Sequence, residues 1–306
     1  MFTVLVTGAS GLIGTQLIDY LLNCQSGEQY RIIALSRNLH LSTQDNLIWI
    51  QHFSELEYLL AEHDFSLDYV VNLAGESIAQ KRWTDARKRQ LIQSRVETTQ
   101  QLFECLQQLN IHPKCIVSGS AIGLYGIDET EQWLNECDEN MPSQSIFMSE
   151  LCYLWESEAL KYQYNTKIIR LGVVFSKRGG ALTQMLLPIK LNLIGRIGTG
   201  QQPMTWVHID DVIQAILFLF NHQTRQTIFN VVAPDHISQM QFVQVASHVL
   251  KRRPLLFFPS FAMKMLMGER AQLVLNGQYV QPKALLAEGF NFQYTNLDDA
   301  LSNQLV

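Results

Sequence analysis

Nothing in this sequence supplies a disulfide scaffold or a metal centre. Cysteine occurs five times in 306 residues, at Cys24, Cys105, Cys115, Cys137 and Cys152, an odd and scattered set without a CxxC pair. That excludes a disulfide framework and reads as reduced thiols filling core positions of a cytoplasmic protein. The eight histidines form no HExxH or comparable ligand set, so no metal is expected. Basic residues are in deficit: 23 Lys and Arg against 28 Asp and Glu leave a net charge of −5. Such a balance offers no basic field to nucleic acid or to an anionic membrane, and neither is expected as a partner. No apolar run approaches the roughly 20 residues that span a bilayer. Met1 leads directly into an apolar strand with no leader before it, which again fits the cytoplasm.

What the chain does have is a glycine-punctuated start. Val4-Leu5-Val6-Thr7-Gly8-Ala9-Ser10-Gly11-Leu12-Ile13-Gly14 is a short apolar run closed by three glycines spaced three apart. Ile13, Leu17 and Leu21 then fall on one face of a helix. Strand, glycine turn and helix in this order make a dinucleotide site. The glycines permit a tight turn, let backbone approach a pyrophosphate, and let the helix pack close to the strand. The helix N-terminus adds unpaired N–H groups and partial positive charge.

With 47% apolar and 17% charged residues, the chain suits one elaborate α/β domain or a domain with an appended lobe. Apolar runs at 30–35, 47–50, 68–73, 115–117 and 167–175 alternate with helical patterns. The longest helix is predicted near 84–109, with Leu91, Val96, Leu102 and Leu106 as its buried stripe. This alternation predicts an α/β fold, a doubly wound parallel sheet with helices on both faces. After Phe175 the rhythm changes to loops, at Gly179-Gly180 and over 195–203. An apolar helix over 212–220 follows, with Asp210 as its N-cap. The segment from Arg253 onward, with Met263, Met265 and Met267 as packing residues, is expected to form a small helical lobe. The expected division is a nucleotide-binding domain over 1–175, with 206–222 packing back on it. Segments 176–205 and 223–306 would form a smaller lobe on the substrate side.

The second strand ends Ala34-Leu35-Ser36-Arg37. An Asp or Glu about 20 residues past the glycines would hold the ribose 2′-hydroxyl of NAD. Instead Arg37 stands where a 2′-phosphate would sit, and a guanidinium binds a phosphate that a carboxylate would repel. Ser36 and Asn38 add hydrogen-bonding groups. NADP(H) is the expected cofactor.

Thr-Gly-Ala-Ser-Gly-Leu-Ile-Gly at 7–14, Asn72-Leu73-Ala74-Gly75, and Ser118-Gly119-Ser120-Ala121 followed by Tyr125-Gly126 resemble the extended short-chain dehydrogenase/reductases. Among these, the chain is similar to the NAD-dependent epimerase/dehydratase group. An atypical branch, the epimerase family proteins (at times labelled cell-division inhibitors), shares further features with it. These are Asn-Leu-Ala-Gly-Glu at 72–76, Lys81-Arg82-Trp83, Ser94-Arg95, and Glu150-Leu151-Cys152 with Trp155-Glu156. Gly179-Gly180-Ala181-Leu182 and Trp206-Val207-His208-Ile209-Asp210-Asp211 complete them. The C-terminal lobe, including 282–289, resembles the small domain of unknown function attached to that branch, so the likeness spans essentially the whole chain. It implies a Rossmann-type fold in which Gly8, Ser10, Gly11, Leu12, Ile13 and Gly14 cradle the pyrophosphate. It puts Arg37 at the adenosine phosphate and Leu73, Ala74 and Gly75 along the ribose. Ser118 or Ser120 would stand near the nicotinamide. Ser120 is preferred because it is first out of the strand, although it lies one residue further from Tyr125 than the family spacing.

The same likeness exposes a gap. The family carries Tyr-x-x-x-Lys on the helix after that serine, and the ammonium lowers the phenol pKa so that the Tyr can serve as acid or base near neutrality. Here the corresponding positions are Phe147 and Leu151. A Tyr-x-x-x-Lys string at Tyr279 to Lys283 contains Pro282, lies in the C-terminal lobe, and is read as coincidence. With the usual pair missing, catalytic work would fall to Ser120, Tyr125 and Glu76. Tyr125 is the first choice of proton donor and Glu76 the second, with Glu150, Cys152 and His208 as further candidates. Arg82 and Arg95 are candidates for holding an anionic substrate. The expected function is an NADP-dependent oxidoreductase or epimerase acting on a small molecule such as a sugar nucleotide, by hydride exchange with bound nicotinamide. The alternative is a non-catalytic NADPH-binding sensor or regulator, which Phe147 and Leu151 favour.

Overall fold

The computed structural model describes residues 1–23, 29–37, 45–63, 66–128 and 130–305; Cys24 and Asn38 lie outside them. Short apolar strands build one parallel sheet: β1 (Phe2–Thr7), β2 (Tyr30–Leu35), β3 (Leu47–Ile50), β4 (Tyr69–Asn72), β5 (Cys115–Ala121), β6 (Thr166–Leu171) and β7 (Ile228–Val231). They lie in the order β3-β2-β1-β4-β5-β6-β7. In register, Val6 stands beside Ala34 of β2 on one side and Val71 of β4 on the other. Strand order reverses between β1 and β4, and this is where open α/β sheets leave a crevice beyond the strand ends.

Both sheet faces are covered, so the strands are apolar almost throughout. The helices of eight residues or more are α1 (Leu12–Asn23), α2 (Ser54–His63), α3 (Asp85–Gln108), α4 (Phe147–Leu160), α5 (Ala181–Lys190), α6 (Ile209–Asn221), α7 (Gln239–Val249), α8 (Ser260–Met267) and α9 (Leu297–Leu305). Val4 and Val6 of β1 share a core with Leu17 and Leu21 of α1 and Ile216 of α6. Leu5, between them, joins Leu56 of α2 and Phe103 of α3 on the opposite face, as the period of two along a strand requires. α3 starts where its cap dictates, with Thr84 Oγ1 accepting the Arg87 N–H at 3.2 Å. A second core, with Phe175, Leu182, Trp206, Phe242 and Leu301, fills the C-terminal lobe.

The lobe is not purely helical. Strands 194–197 and 256–258 pair in parallel, as do 136–137 and 279–280. Three further details depart from the sequence reading. The run 167–175 is broken at Gly172, where a Cβ would meet the Thr205 carbonyl oxygen at 3.0 Å; strand 173–175 peels off to pair with 206–208. Segment 228–231, expected in the lobe, is β7 and extends the main sheet beside β6. The N-cap of α6 is His208 rather than Asp210: its Nδ1 accepts the Asp210 N–H at 3.1 Å, and Asp210 lies in the first turn. Among the described residues no helix is long and apolar enough to cross a membrane.

Candidate cofactor and active site

β1 delivers Gly8 at φ +64°, a left-handed conformation that glycine adopts without cost. A Cβ on Gly8 would stand 2.5 Å from the Leu73 carbonyl oxygen, and one on Gly14 2.5 Å from the Gly8 carbonyl oxygen. The turn therefore lies flush against the segment beyond β4, and α1 flush against the turn. Gly11 N–H donates to Gly8 O at 2.9 Å, leaving Ser10 and Gly11 exposed ahead of α1, whose first N–H groups have no intrahelical partner. Ser36 Oγ donates to Ser10 Oγ at 3.0 Å and fastens the end of β2 to the same turn. Residues 8–14, Ser36 and 73–75 thus meet at the C-terminal ends of three adjacent strands.

Arg37 comes next, its side chain 87% exposed and its Nη1 3.6 Å from Glu76 Oε1. The other Glu76 oxygen accepts from Arg87 Nη1, and Arg87, almost fully buried, also donates from Nη2 to Ser77 O at 2.8 Å. The hydrogen bond from Arg87 holds the Glu76 carboxyl below the usual carboxylate range. Glu76 is thus a carboxylate held between two cations, a poor proton donor at neutral pH. Beneath it Arg95 donates from Nη2 to Glu76 O (2.9 Å) and from Nη1 to Leu91 O (3.2 Å). Its Cζ stands 5.3 Å from the Trp155 ring centroid, and a Cβ on Gly75 would meet that Cζ at 3.0 Å. The 75–77 segment therefore runs over a bed of arginine. Sequence reasoning weighed Arg95 but missed Arg87, which the Thr84 cap orients and which nothing in its local pattern distinguishes from a surface charge.

Ser118 and Ser120 lie on β5, inside polar networks. Asn72, fully buried, accepts from Thr7 Oγ1 (2.7 Å) and donates to Thr99 Oγ1 (2.8 Å) and Ser118 Oγ (3.1 Å). Ser120 Oγ donates to Glu156 Oε1 at 2.6 Å. Arg170 meets the same carboxylate with Nε and Nη2, both at 2.8 Å, and its Nη1 donates to the Tyr125 hydroxyl at 2.8 Å. Tyr125 in turn donates to Asn230 Oδ1 at 2.7 Å. Tyr125 is 2% exposed, and burial pushes its pKa up to about 12. Ser120 and Tyr125 are therefore joined in one buried chain across α4, β5, β6 and β7, while Glu76 belongs to the arginine cluster. The expectation of Tyr125 as first proton donor meets a correction: its hydroxyl is occupied on both sides by protein and turned inward.

The positions of the missing pair are packed. Leu151 is buried with Trp83, Leu91 and Met148, and the Phe147 ring lies edge-on to Trp83 at 5.2 Å between centroids. Lys88 Nζ sits 5.2 Å from the Phe147 ring centroid. Burial pushes the Cys152 thiol up to about 11, and Glu150 is exposed. Tyr279 stacks on His236 while Lys283 pairs with Asp138 at 2.9 Å, so that string forms no acid–base unit. His208 is fully buried, stacked on Tyr294 at 3.7 Å between ring centroids, and burial lowers its pKa. The Asp211 carboxylate accepts the Gln293 (2.7 Å) and Tyr294 (3.0 Å) N–H groups. Trp206 to Asp211 is thus a clamp on the C-terminal segment. Among the described residues no group of three or more His, Cys, Asp or Glu could hold a metal.

A parallel sheet in this order, with a glycine turn at its switch point, defines a Rossmann-type fold. The family profile described as NAD dependent epimerase/dehydratase family matches residues 4–232, and that of a domain of unknown function (DUF1731) matches residues 258–304. This chain belongs to the NAD-dependent epimerase/dehydratase family. It is 34% identical over 303 residues to an epimerase family protein of Staphylococcus aureus, covering 98% of this chain and 97% of that one. Its identity to an epimerase family protein of Staphylococcus epidermidis is 32% over the same length. Its fold matches the crystal structure of the human epimerase family protein SDR39U1 with NADPH at a TM-score of 0.85 and 31% identity, covering 99% of each chain. UDP-glucose 4-epimerase of Thermotoga maritima, 16% identical with a TM-score of 0.76, shares the fold.

Proposed function

We propose that this chain binds NADP(H) at the β1–α1 turn and exchanges hydride between it and a small molecule, the family pointing to a sugar nucleotide as the class to try first. The observation that carries the cofactor reading is the glycine cradle, which a Cβ at Gly8 or Gly14 would fill, set beside an exposed Arg37 at the end of β2. The human relative solved with NADPH supports it. Bound nicotinamide would supply the hydride donor or acceptor. The N–H groups at the start of α1, which have no intrahelical partner, would hold the diphosphate, and Arg37 the 2′-phosphate. Arg87, by neutralising Glu76, keeps that phosphate from facing an unpaired carboxylate. Ser36 would fasten the adenosine end and 73–75 would run along the ribose, while Ser118 and Ser120, both buried, would act on the nicotinamide end from beneath, through Asn72 and Glu156.

Calorimetric titration tests this. NADPH should bind at least about tenfold more tightly than NADH, roughly 1.4 kcal/mol. Arg37→Asp should cost NADPH about 1.5–3 kcal/mol through loss of a charge-assisted contact. Gly11→Val, whose Cβ would stand 3.0 Å from the Gly8 carbonyl oxygen, should weaken binding about tenfold. Equal affinities for the two cofactors in the unmodified chain would refute the assignment. A second reading, a non-catalytic NADPH sensor, draws support from the apolar packing at Phe147 and Leu151. Tight binding with no oxidation of bound NADPH across carbonyl and sugar-nucleotide substrates would select it.

A further inference from the structure

Charge is segregated along this chain. Segments 176–209 and 236–268 hold eight of the 23 Lys and Arg residues and none of the 28 Asp and Glu. These segments carry α5, strand 194–197, α7, strand 256–258 and α8, which fold against one another: Leu182 and Leu186 share a core with Phe242, and Leu256 N–H donates to Leu193 O at 3.0 Å. The net charge of −5 therefore averages a basic lobe with an acidic remainder.

Around this lobe large apolar side chains stand out into solvent. Leu187, Leu191 and Leu193 do so at the end of α5, and Leu255, Leu256 and Phe257 along the neighbouring strand. α8, which buries none of its residues, adds Phe261, Met265 and Leu266. Leu255 is 86% and Met265 77% exposed. Cations are interleaved with them: Lys190, Arg196, Arg253 and Lys264 are exposed, and the Arg196 guanidinium lies 5.2 Å from the Phe257 ring centroid. Beside the patch a groove of about 590 Å³ runs between the end of α7 and α9, lined by His248, Lys251, Arg252 and Arg253, with the Asp298 carboxylate on its wall.

We propose that this face docks the protein on an anionic phospholipid surface. The protruding Leu, Phe and Met side chains enter the boundary between headgroups and acyl chains, and Lys251, Arg252 and Arg253 meet lipid phosphates. Contiguous exposed apolar surface of this kind marks an interaction site. Charge decides among occupants: this face carries Lys190, Arg196, Lys251, Arg252, Arg253 and Lys264 against Asp298 on the groove wall, so two copies meeting through it would set mostly like charges opposite one another. Shape decides against a folded acidic partner, because the apolar side chains protrude instead of lining a pocket, while the groove beside them sets Lys251, Arg252 and Arg253 along a largely apolar wall. A bilayer requires only protruding apolar groups flanked by cations that can snorkel.

The test is co-sedimentation of the full chain with vesicles of phosphatidylcholine alone or in equimolar mixture with phosphatidylglycerol. At low salt the mixed vesicles should retain at least about tenfold more protein than the neutral ones, and added salt should release much of it. Leu255→Ser with Phe261→Ser, and separately Arg252→Glu with Arg253→Glu, should each reduce retention about tenfold while leaving the circular dichroism and thermal midpoint unchanged, since all four side chains are exposed. Equal or absent retention by the two vesicle types overturns the proposal. So does a concentration-dependent dimer abolished by the Leu255 and Phe261 substitutions, which assigns the face to a second copy. Retention on immobilised polyglutamate without vesicle binding overturns it in favour of an acidic protein.

Discussion

A single hydroxyl shows how burial decides a role. Tyr125 carries the chemistry of a proton donor, yet its oxygen receives a hydrogen bond from Arg170 and gives one to Asn230 inside the sheet. Tyr125→Phe should therefore act on stability: it leaves a buried guanidinium N–H and a buried amide oxygen each short of a partner, at a cost of about 1–3 kcal/mol in urea unfolding. NADPH affinity should stay within about threefold. Unchanged stability would show that the hydroxyl is not held as described. Residues whose role is set by their own backbone were legible in the sequence. Gly8 needs positive φ, and Arg37 is conspicuous because an acid is missing. Arg170 was not legible, because its meaning comes from Glu156 on α4, Tyr125 after β5 and Asn230 on β7, partners that only the completed sheet assembles.

Secondary structure with a strong local signal was equally legible. α3 has a capping threonine and a repeating apolar stripe, and it spans 85–108 against the expected 84–109. The signal failed where tertiary contacts set the boundary, as at Gly172 and in the short run Ile228-Phe229-Asn230-Val231, whose central asparagine hides a strand. The start of α6 shows the same dependence. Asp211 in its first turn is pushed up to about 6 by burial, against a carboxylate value of 3.8, with Asp210 and the backbone N–H groups of Gln293 and Tyr294 facing it. Because the folded state binds this proton more tightly than the unfolded chain, the stability it contributes is fully present below about 3.8 and lost as pH rises through about 6. The advantage in thermal midpoint of the unmodified protein over Asp211→Asn should therefore shrink as pH is raised across that window; a pH-independent difference would contradict it. α9 makes a second tie, since Gln304 Oε1 accepts the Lys177 N–H while Ser176 Oγ accepts from Gln16 of α1 at 2.9 Å. The 176–180 loop, held from both sides, touches the glycine turn at Leu12, which a Cβ on Gly180 would meet at 2.7 Å. Gln304→Ala should speed amide hydrogen exchange at Lys177 and its neighbours without changing exchange in β1; equal protection in both proteins would break the link.

At the scale of the whole molecule, two sequence families meet on one chain, and the boundary between them is not a boundary in the fold. The second match begins at residue 258, and the sequence reading likewise separated a nucleotide-binding domain from a lobe reaching to 306. Yet Leu285, Phe290 and Phe292, all from that second segment, are buried in the core that β1, α1 and α6 share. The clamp from His208 and Asp211 to 293–294 holds the same segment in place. Fully burying a Leu or Phe side chain contributes about 1.5–3 kcal/mol, so three of them approach the 5–15 kcal/mol by which a whole protein is stable. A chain ending at Phe257 should therefore lose cooperative unfolding and expose apolar surface to a hydrophobic dye, whereas the full chain should unfold in a single transition by both near- and far-ultraviolet circular dichroism. If the shortened chain instead unfolds cooperatively and still binds NADPH, the C-terminal segment is a separable module, and the shared core does not hold the nucleotide site in shape. Periodicity within each segment could not reveal this coupling, because the strands and helices whose core Leu285, Phe290 and Phe292 share, from β1 to β7, lie more than fifty residues away in sequence.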